Sequence, residues 1–137
     1  MAKQFFVKET EDPFKVNLVG IPEQGEEPRV LACALLDSNR KNVDIGFGDD
    51  DTRAWLGGFS IGKKDSHVAA IEGIKAAKLS DDGKFMALTL LSIASLKCAI
   101  PQASNPVLIA PHLDAAREYA KAAEFIRKHT QAKIAGS

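Results

Sequence analysis

The run Gly57-Gly58-Phe59-Ser60-Ile61-Gly62-Lys63-Lys64 satisfies the spacing Gly-x-x-x-x-Gly-Lys. In a phosphate-binding loop this spacing lets backbone N–H groups cradle phosphates while the lysine meets the outermost one. Lys64, however, stands where a Ser or Thr hydroxyl would hold magnesium, and Trp55-Leu56 is a poor end for the buried parallel strand such a loop follows. A glycine-softened strand and a basic turn account for the segment better. A simpler chemistry remains for the same residues. Arg53, Trp55, Lys63 and Lys64 lie in one short segment; cations neutralise phosphates and an indole stacks on a base, the combination that holds single-stranded nucleic acid. A C-terminal helix would add Arg117 and Lys121 to that basic-aromatic set.

The carboxylates suggest another chemistry. Asp37 ends an apolar run, and Asp44, Asp49, Asp50, Asp51 and Glu72 follow it. Clustered carboxylates on a ribonuclease-H-like sheet would hold two magnesium ions for phosphodiester cleavage. That arrangement needs an acid on a later central strand, and Phe85–Leu91 offers none. Turn acids and a helix-start cluster are the simpler account. His67, His112 and His129 have no second His or Cys at zinc-ligand spacing, and no Gly-x-Ser-x-Gly elbow is present. Cys33 and Cys98 both sit in apolar runs and read as buried hydrophobes, not as a metal pair or a disulfide framework. No metal and no cofactor are expected.

Composition sets the frame in which these residues act. With 137 residues, 45% apolar and 26% charged, the chain has the makeup of an ordinary globular domain able to bury its own core. Basic and acidic residues balance at 18 each, so total charge makes no case for nucleic acid. Their distribution is uneven: residues 1–51 hold 11 acids and 6 bases, and residues 52–137 hold 7 acids and 12 bases. Opposite halves suit attraction within one fold or across a homodimer as well as a basic binding face. The three-residue apolar run Phe5–Val7 is too short for a signal-peptide core. The longest apolar stretch, Phe85–Leu96, falls short of the roughly 20 residues of a spanning helix. The expectation is a soluble cytoplasmic protein with no membrane contact.

The elements that must position these groups follow from periodicity. Residues 14–20 alternate apolar and polar, as in a half-buried strand. Residues 22–28 read as a polar loop. Val30–Leu36 is a continuous apolar run that predicts a central strand, and Val43–Phe47 alternates after a turn-forming stretch at 37–42. Residues 30–47 thus predict an antiparallel hairpin. Asp49–Asp51 suits the start of a helical turn, and residues 55–61 suit a strand with a glycine bulge. Between 66 and 92 two readings stand. In one, Asp65-Ser66 caps a helix over about 66–78. In the other, strands at 74–79 and 85–91 join through Ser80-Asp81-Asp82-Gly83. In either, Phe85–Leu91 is read as a strand. Val107–Ala110 reads as a short strand stopped by Pro111. Leu113, Ala116, Tyr119, Ala120, Ala123 and Ile126 form a helical stripe that predicts a helix over about 112–130, with 131–137 a frayed tail.

The fold expected is therefore α+β: a single domain over 1–137, with an antiparallel-rich sheet packed by the C-terminal helix and, on one reading, by a second helix at 66–78. Without a cofactor signature or a catalytic set, the first functional expectation is a non-catalytic binding or assembly module. It would act through protein contact or self-association. Nucleic-acid binding through Arg53, Trp55, Lys63, Lys64, Arg117 and Lys121 is the alternative, and a metal-dependent nuclease is third. Exposure of Trp55 separates a nucleic-acid face from a buried tryptophan ringed by solvated charges.

Overall fold

A computed structural model describes residues 2–22 and 27–136, with side chains from 5 to 21 and from 27 to 129. The polar loop expected at 22–28 falls largely outside the described residues. All strands precede all helices, an α+β arrangement, and the chain divides into two compact units, Met1–Phe59 and Ser60–Ser137.

The first unit is a five-stranded sheet whose spatial order follows the sequence: β1 (Ala2–Glu9), β2 (Lys15–Pro22), β3 (Arg29–Leu36), β4 (Asn42–Phe47) and β5 (Ala54–Ser60). β1 to β4 pair antiparallel, as short connections require. The predicted hairpin at 30–47 is β3–β4, with Leu36 opposite Val43 and Ala32 opposite Phe47. Its turn is held by Asp37, whose carboxylate accepts from the Lys41 and Asn42 N–H groups at 2.8 and 3.2 Å. Arg40, rather than an Asn, takes the left-handed conformation there (φ 55°). Cross-strand register sorts the side chains into two faces. On one, Val16, Ala34 and Ile45 lie in a row beside Leu18 and Ala32, all buried. Ala32, Cys33 and Ala34 are buried in succession, so β3 is covered on both sides, as its unbroken apolar run predicts. The acids at 49–51 make a turn and no helix. Asp49 closes that turn by accepting from the Asp51 and Thr52 N–H groups and from the Thr52 hydroxyl, each at 3.0 Å.

The second unit contains α1 (Ser66–Ala76), α2 (Asp81–Ala99), a 3-10 turn (Ile100–Gln102) and α3 (Pro106–Gly136). α1 matches the helical reading of 66–78. Its predicted cap does not form: Asp65 is left-handed (φ 61°) with no side-chain cap bond, and the Ser66 hydroxyl donates back to Lys63 O at 2.9 Å. The hairpin reading of 74–91 and the strand at Phe85–Leu91 are replaced by α2. Ser80 caps it by accepting from the Gly83 N–H at 3.1 Å, and Asp81 and Asp82 favour the positive end of the helix dipole. Asp82-Gly83 is thus a helical first turn, not a hairpin turn. The apolar residues of α2 occupy most of its circumference: Ala87, Leu88, Leu90 and Leu91 are fully buried. A helix that is apolar round most of its circumference carries no clear amphipathic period to read.

α3 begins earlier than predicted. Asn105 accepts from the Val107 and Leu108 N–H groups at 3.1 and 3.3 Å, and Pro106 opens the helix. Proline suits the first helical position, where its missing N–H leaves nothing unpaired. The strand expected at Val107–Ala110 is this first turn, and Pro111 lies inside the helix instead of stopping it. From the predicted stripe, Ala116, Tyr119, Ala123 and Ile126 are buried, while Leu113 and Ala120 are exposed. α2 and α3 are tied by a buried hydrogen bond from the Ser92 hydroxyl to Ala116 O, 2.7 Å. The helix bounds reach Gly136, so most of the stretch expected to fray at 131–137 lies within them; its side chains are outside the described residues.

Asp81–Gln102 is long and apolar enough, by length and composition, to cross a membrane (22 residues, mean hydropathy 1.5 over its window). The sequence expectation of no such helix counted only the uninterrupted apolar run. The buried core helix of a globular unit meets the same measure, and 56% of that window is buried.

Candidate nucleic-acid interface

The second face of the sheet differs from the first. Lys8 stands opposite Asn17, Asn17 opposite Cys33, and Cys33 opposite Gly46, so these four share one face in a single row. Period-two alternation puts Phe6 and Lys15 on the same face, two residues from Lys8 and Asn17. β5 supplies the rest. A Cβ on Gly46 would lie 2.8 Å from Arg53 Cδ and 3.0 Å from Trp55 Cε3, so both side chains cross the sheet over the space that Gly46 leaves open. Glycine here permits close approach; any larger residue would push the pair away.

Arg53 is held on three sides. Its Nη1 donates to Asp50 Oδ1 at 2.9 Å, its Nη2 to Gly48 O at 3.4 Å, and its guanidinium carbon lies 5.7 Å from the centre of the Trp55 ring. Asp50 Oδ1 also accepts from Lys15 Nζ at 3.2 Å. The Asp50 carboxyl is lowered below its usual range by its hydrogen bonds to Lys15 and Arg53. Burial raises the Cys33 thiol, opposed by the nearby positive charges of Arg53 and Lys15. Two buried polar atoms here, Asn17 Oδ1 and Arg53 Nε, have no hydrogen-bond partner among the described residues. Trp55 is 52% exposed and Phe6 40%. The face thus combines three cations with two carboxylates, Asp50 and, opposite Leu35 in the row of Lys15, Asp44, together with two accessible aromatic rings and unused polar groups.

The other predicted site residues belong to the helical unit. Lys63 and Lys64 are exposed in the turn before α1. Gly62 beside them is left-handed (φ 84°), and a Cβ there would meet the His112 ring at 2.9 Å. The Gly-x-x-x-x-Gly-Lys spacing therefore runs through a strand, β5, and a glycine packed on a buried histidine, not through an open loop. Arg117 and Lys121 line a groove of about 660 Å³ between α1 and α3, together with Lys75 and the acids Asp65, Glu72, Asp114 and Glu118. Four carboxylates against three cations give that groove no preference for an anion, and Lys63 and Lys64 do not line it. On its wall the His67 ring meets Tyr119 edge-on at 6.3 Å, and burial pushes the Tyr119 hydroxyl up to about 12. Among the described residues no three His, Cys, Asp or Glu side chains are grouped as metal ligands, and Asp37 and Asp49 are engaged in turns.

Arg53 and Trp55 are thus brought together, as are Arg117 and Lys121, but as separate pairs in separate units. Phe6, Lys8, Lys15 and Asn17 are not among the site residues the sequence singles out, and Asp50, read there with the carboxylates that could hold magnesium, instead accepts from Lys15 and Arg53. The alternation of β2 is visible in the sequence, but only the register of three strand pairings, with β5 beside β4, places Phe6, Lys8, Lys15 and Asn17 by Arg53. Comparison with protein-family models, curated proteins and solved structures finds no match for this chain.

Proposed function

We propose that the chain is a binding module that takes single-stranded nucleic acid on the polar face of its sheet. The observation that carries this reading is Trp55, which leaves 52% of its surface to solvent beside a stacked arginine. A lone tryptophan in a chain of this size is normally packed, and an accessible indole next to cations suits a base and its phosphate. Phe6 offers a second stacking surface, and Lys8, Lys15 and Arg53 offer charge. The strand unit as a whole holds 11 acidic and 7 basic residues, and this face carries three cations against Asp44 and Asp50. About two or three phosphate contacts predict a shallow salt dependence, with a log–log slope of about −1.5 to −2. Titration of a labelled oligothymidylate, read by anisotropy and by the emission of the only tryptophan, tests it. The expected result is quenching of Trp55 on binding, and binding by anisotropy that weakens by about tenfold or more in Trp55→Ala. Binding that ignores both Trp55→Ala and salt would overturn it.

A second reading, self-association, has its own support. Leu96, Ile100, Val107 and Leu108, around the turn from α2 to α3, are 46–79% exposed. Large aliphatic side chains gathered at one end of a helical hairpin favour burial against a second copy. Light scattering of the wild type and of Ile100→Lys/Val107→Lys tests it: the expected result is a concentration-dependent dimer abolished by the two lysines, and a monomer at high concentration overturns it.

A further inference from the structure

We propose that Asp50 is a built-in competitor for the sheet face, holding Lys15 and Arg53 with its carboxylate until a nucleic-acid phosphate takes its place; this rests on the single-strand reading above. The geometry that carries it is an asymmetry of exposure. One oxygen of Asp50 accepts from both cations, at 3.2 Å from Lys15 and 2.9 Å from Arg53. The two cationic side chains are only 23% and 12% exposed, whereas that of Asp50 is 79% exposed. The anion therefore sits on the solvent side of a pair of fixed, partly dehydrated cations, where an incoming phosphate must arrive. Carboxylate and phosphate oxygens satisfy a guanidinium in the same way, so one can replace the other without rebuilding the site.

Neighbouring residues make the exchange mechanically simple. Asp49, not Asp50, closes the 49–52 turn through its three hydrogen bonds. The Asp50 side chain can leave without opening that turn. Arg53 stays anchored by its bond to Gly48 O and its contact with Trp55. The guanidinium therefore remains beside the indole on which a base would stack. Asp51 is an exposed neighbour in the same turn with the same charge, and it makes no bond to Lys15 or Arg53 among those described. It supplies the control for charge alone.

The test compares wild type, Asp50→Asn and Asp51→Asn in binding a labelled oligothymidylate at fixed salt, by anisotropy and by quenching of Trp55. Removing an exposed ion-pair competitor is expected to tighten binding by Asp50→Asn about threefold beyond Asp51→Asn. Equal effects of the two substitutions would overturn the competitor role while leaving the sheet-face reading intact. If neither wild type nor Asp50→Asn binds or quenches, the sheet-face reading fails and the competitor role fails with it. If Asp50→Asn instead captures an acidic peptide and not the oligonucleotide, the face is a protein-binding surface and the proposal is wrong.

Discussion

In the strand unit, charged and aromatic side chains gather on one face of the sheet, and the opposite face is apolar and buried. In the helical unit the order is inverted. Acids and bases are interspersed along α1 and α3, and the groove between these helices lines itself with both signs. What gathers there is apolar: an α2 buried round most of its circumference and a cluster of exposed aliphatic residues where the hairpin turns. A sheet has two faces and alternation sorts residues between them, so polar groups from distant positions can converge on one surface. A helix that is apolar round most of its circumference has little polar face to offer. Recognition of a charged ligand is thus favoured on the strands, and association through apolar contact on the helices.

The largest effect expected tests the largely buried helix. Leu91→Ala removes a fully buried side chain of α2 and should cost about 2–5 kcal/mol in urea unfolding. Leu96→Ala, at a 46% exposed position on the same helix, should stay within about 0.5 kcal/mol. Equal costs at low protein concentration, where a dimer would dissociate, would show that Leu96 is packed within the monomer and remove its support for self-association.

Two glycines give the next contrast. Gly62 is left-handed with the His112 ring 2.9 Å from any added Cβ, whereas Gly73 in α1 has open space around it. Gly62→Ala should destabilise by about 1–3 kcal/mol. Gly73→Ala should stabilise by about 0.5–1 kcal/mol through helix propensity. A neutral Gly62→Ala would mean that the turn before α1 is not fixed by His112. Ser92→Ala, which deletes the buried bond from α2 to Ala116 O, should cost about 1 kcal/mol.

His112 separates the helical unit from the carboxylates of the strand unit by pH. Burial holds its pKa below the usual 6.5, so the folded state favours the neutral ring. The unfolded chain then binds the proton first. Stability should be full above pH 6.5 and fall as pH drops below it. The lowered carboxyls Asp37, Asp49 and Asp50 contribute above their unfolded value of 3.8 and lose that contribution only in stronger acid. His112→Gln should erase the loss that begins below pH 6.5 and leave the carboxylate limb in stronger acid; an unchanged profile would exclude His112 as its source.

The smallest effect tests the sheet face. Trp55→Ala should change stability by less than about 1 kcal/mol, since the ring is half exposed and gains only a surface cation–π contact. Acrylamide should quench its emission efficiently in the free protein. A cost like that of Leu91→Ala would mark Trp55 as core and erase the contrast between the two units.

Much of this was legible along the chain. β3 declared itself by an unbroken apolar run, and β4 by alternation after a turn whose Asp37 bonds to the backbone. The middle of α3 declared itself through Ala116, Tyr119, Ala123 and Ile126. α2 did not, because a helix apolar round most of its circumference and a buried strand share one pattern, and Asp82-Gly83 serves a hairpin turn or a helical first turn equally well. The opening turn of α3 was obscured by β-branched Val107 and Ile109 and by Pro111, all outweighed by the Asn105 cap. Of the site, the Arg53–Trp55 pair was readable because its members are two residues apart on one strand.

The sequence by itself determined which segments alternate, where turns and caps can form, and that the chain is α+β. Those are local properties, set by neighbours within a few residues. Tertiary structure decided which lysines, aromatics and carboxylates meet, since Lys8, Lys15 and Gly46 are joined to the local Asp50–Arg53 pair only by the arrangement of the strands. It also decided that Gly46 leaves room for the Arg53–Trp55 pair and that Asp50, read as a helix-start acid, bridges two cations. Register is fixed by burying Val16, Ala34 and Ile45 on the far side of the sheet. The apolar face therefore places the polar one, and a slip of one residue would dissolve both.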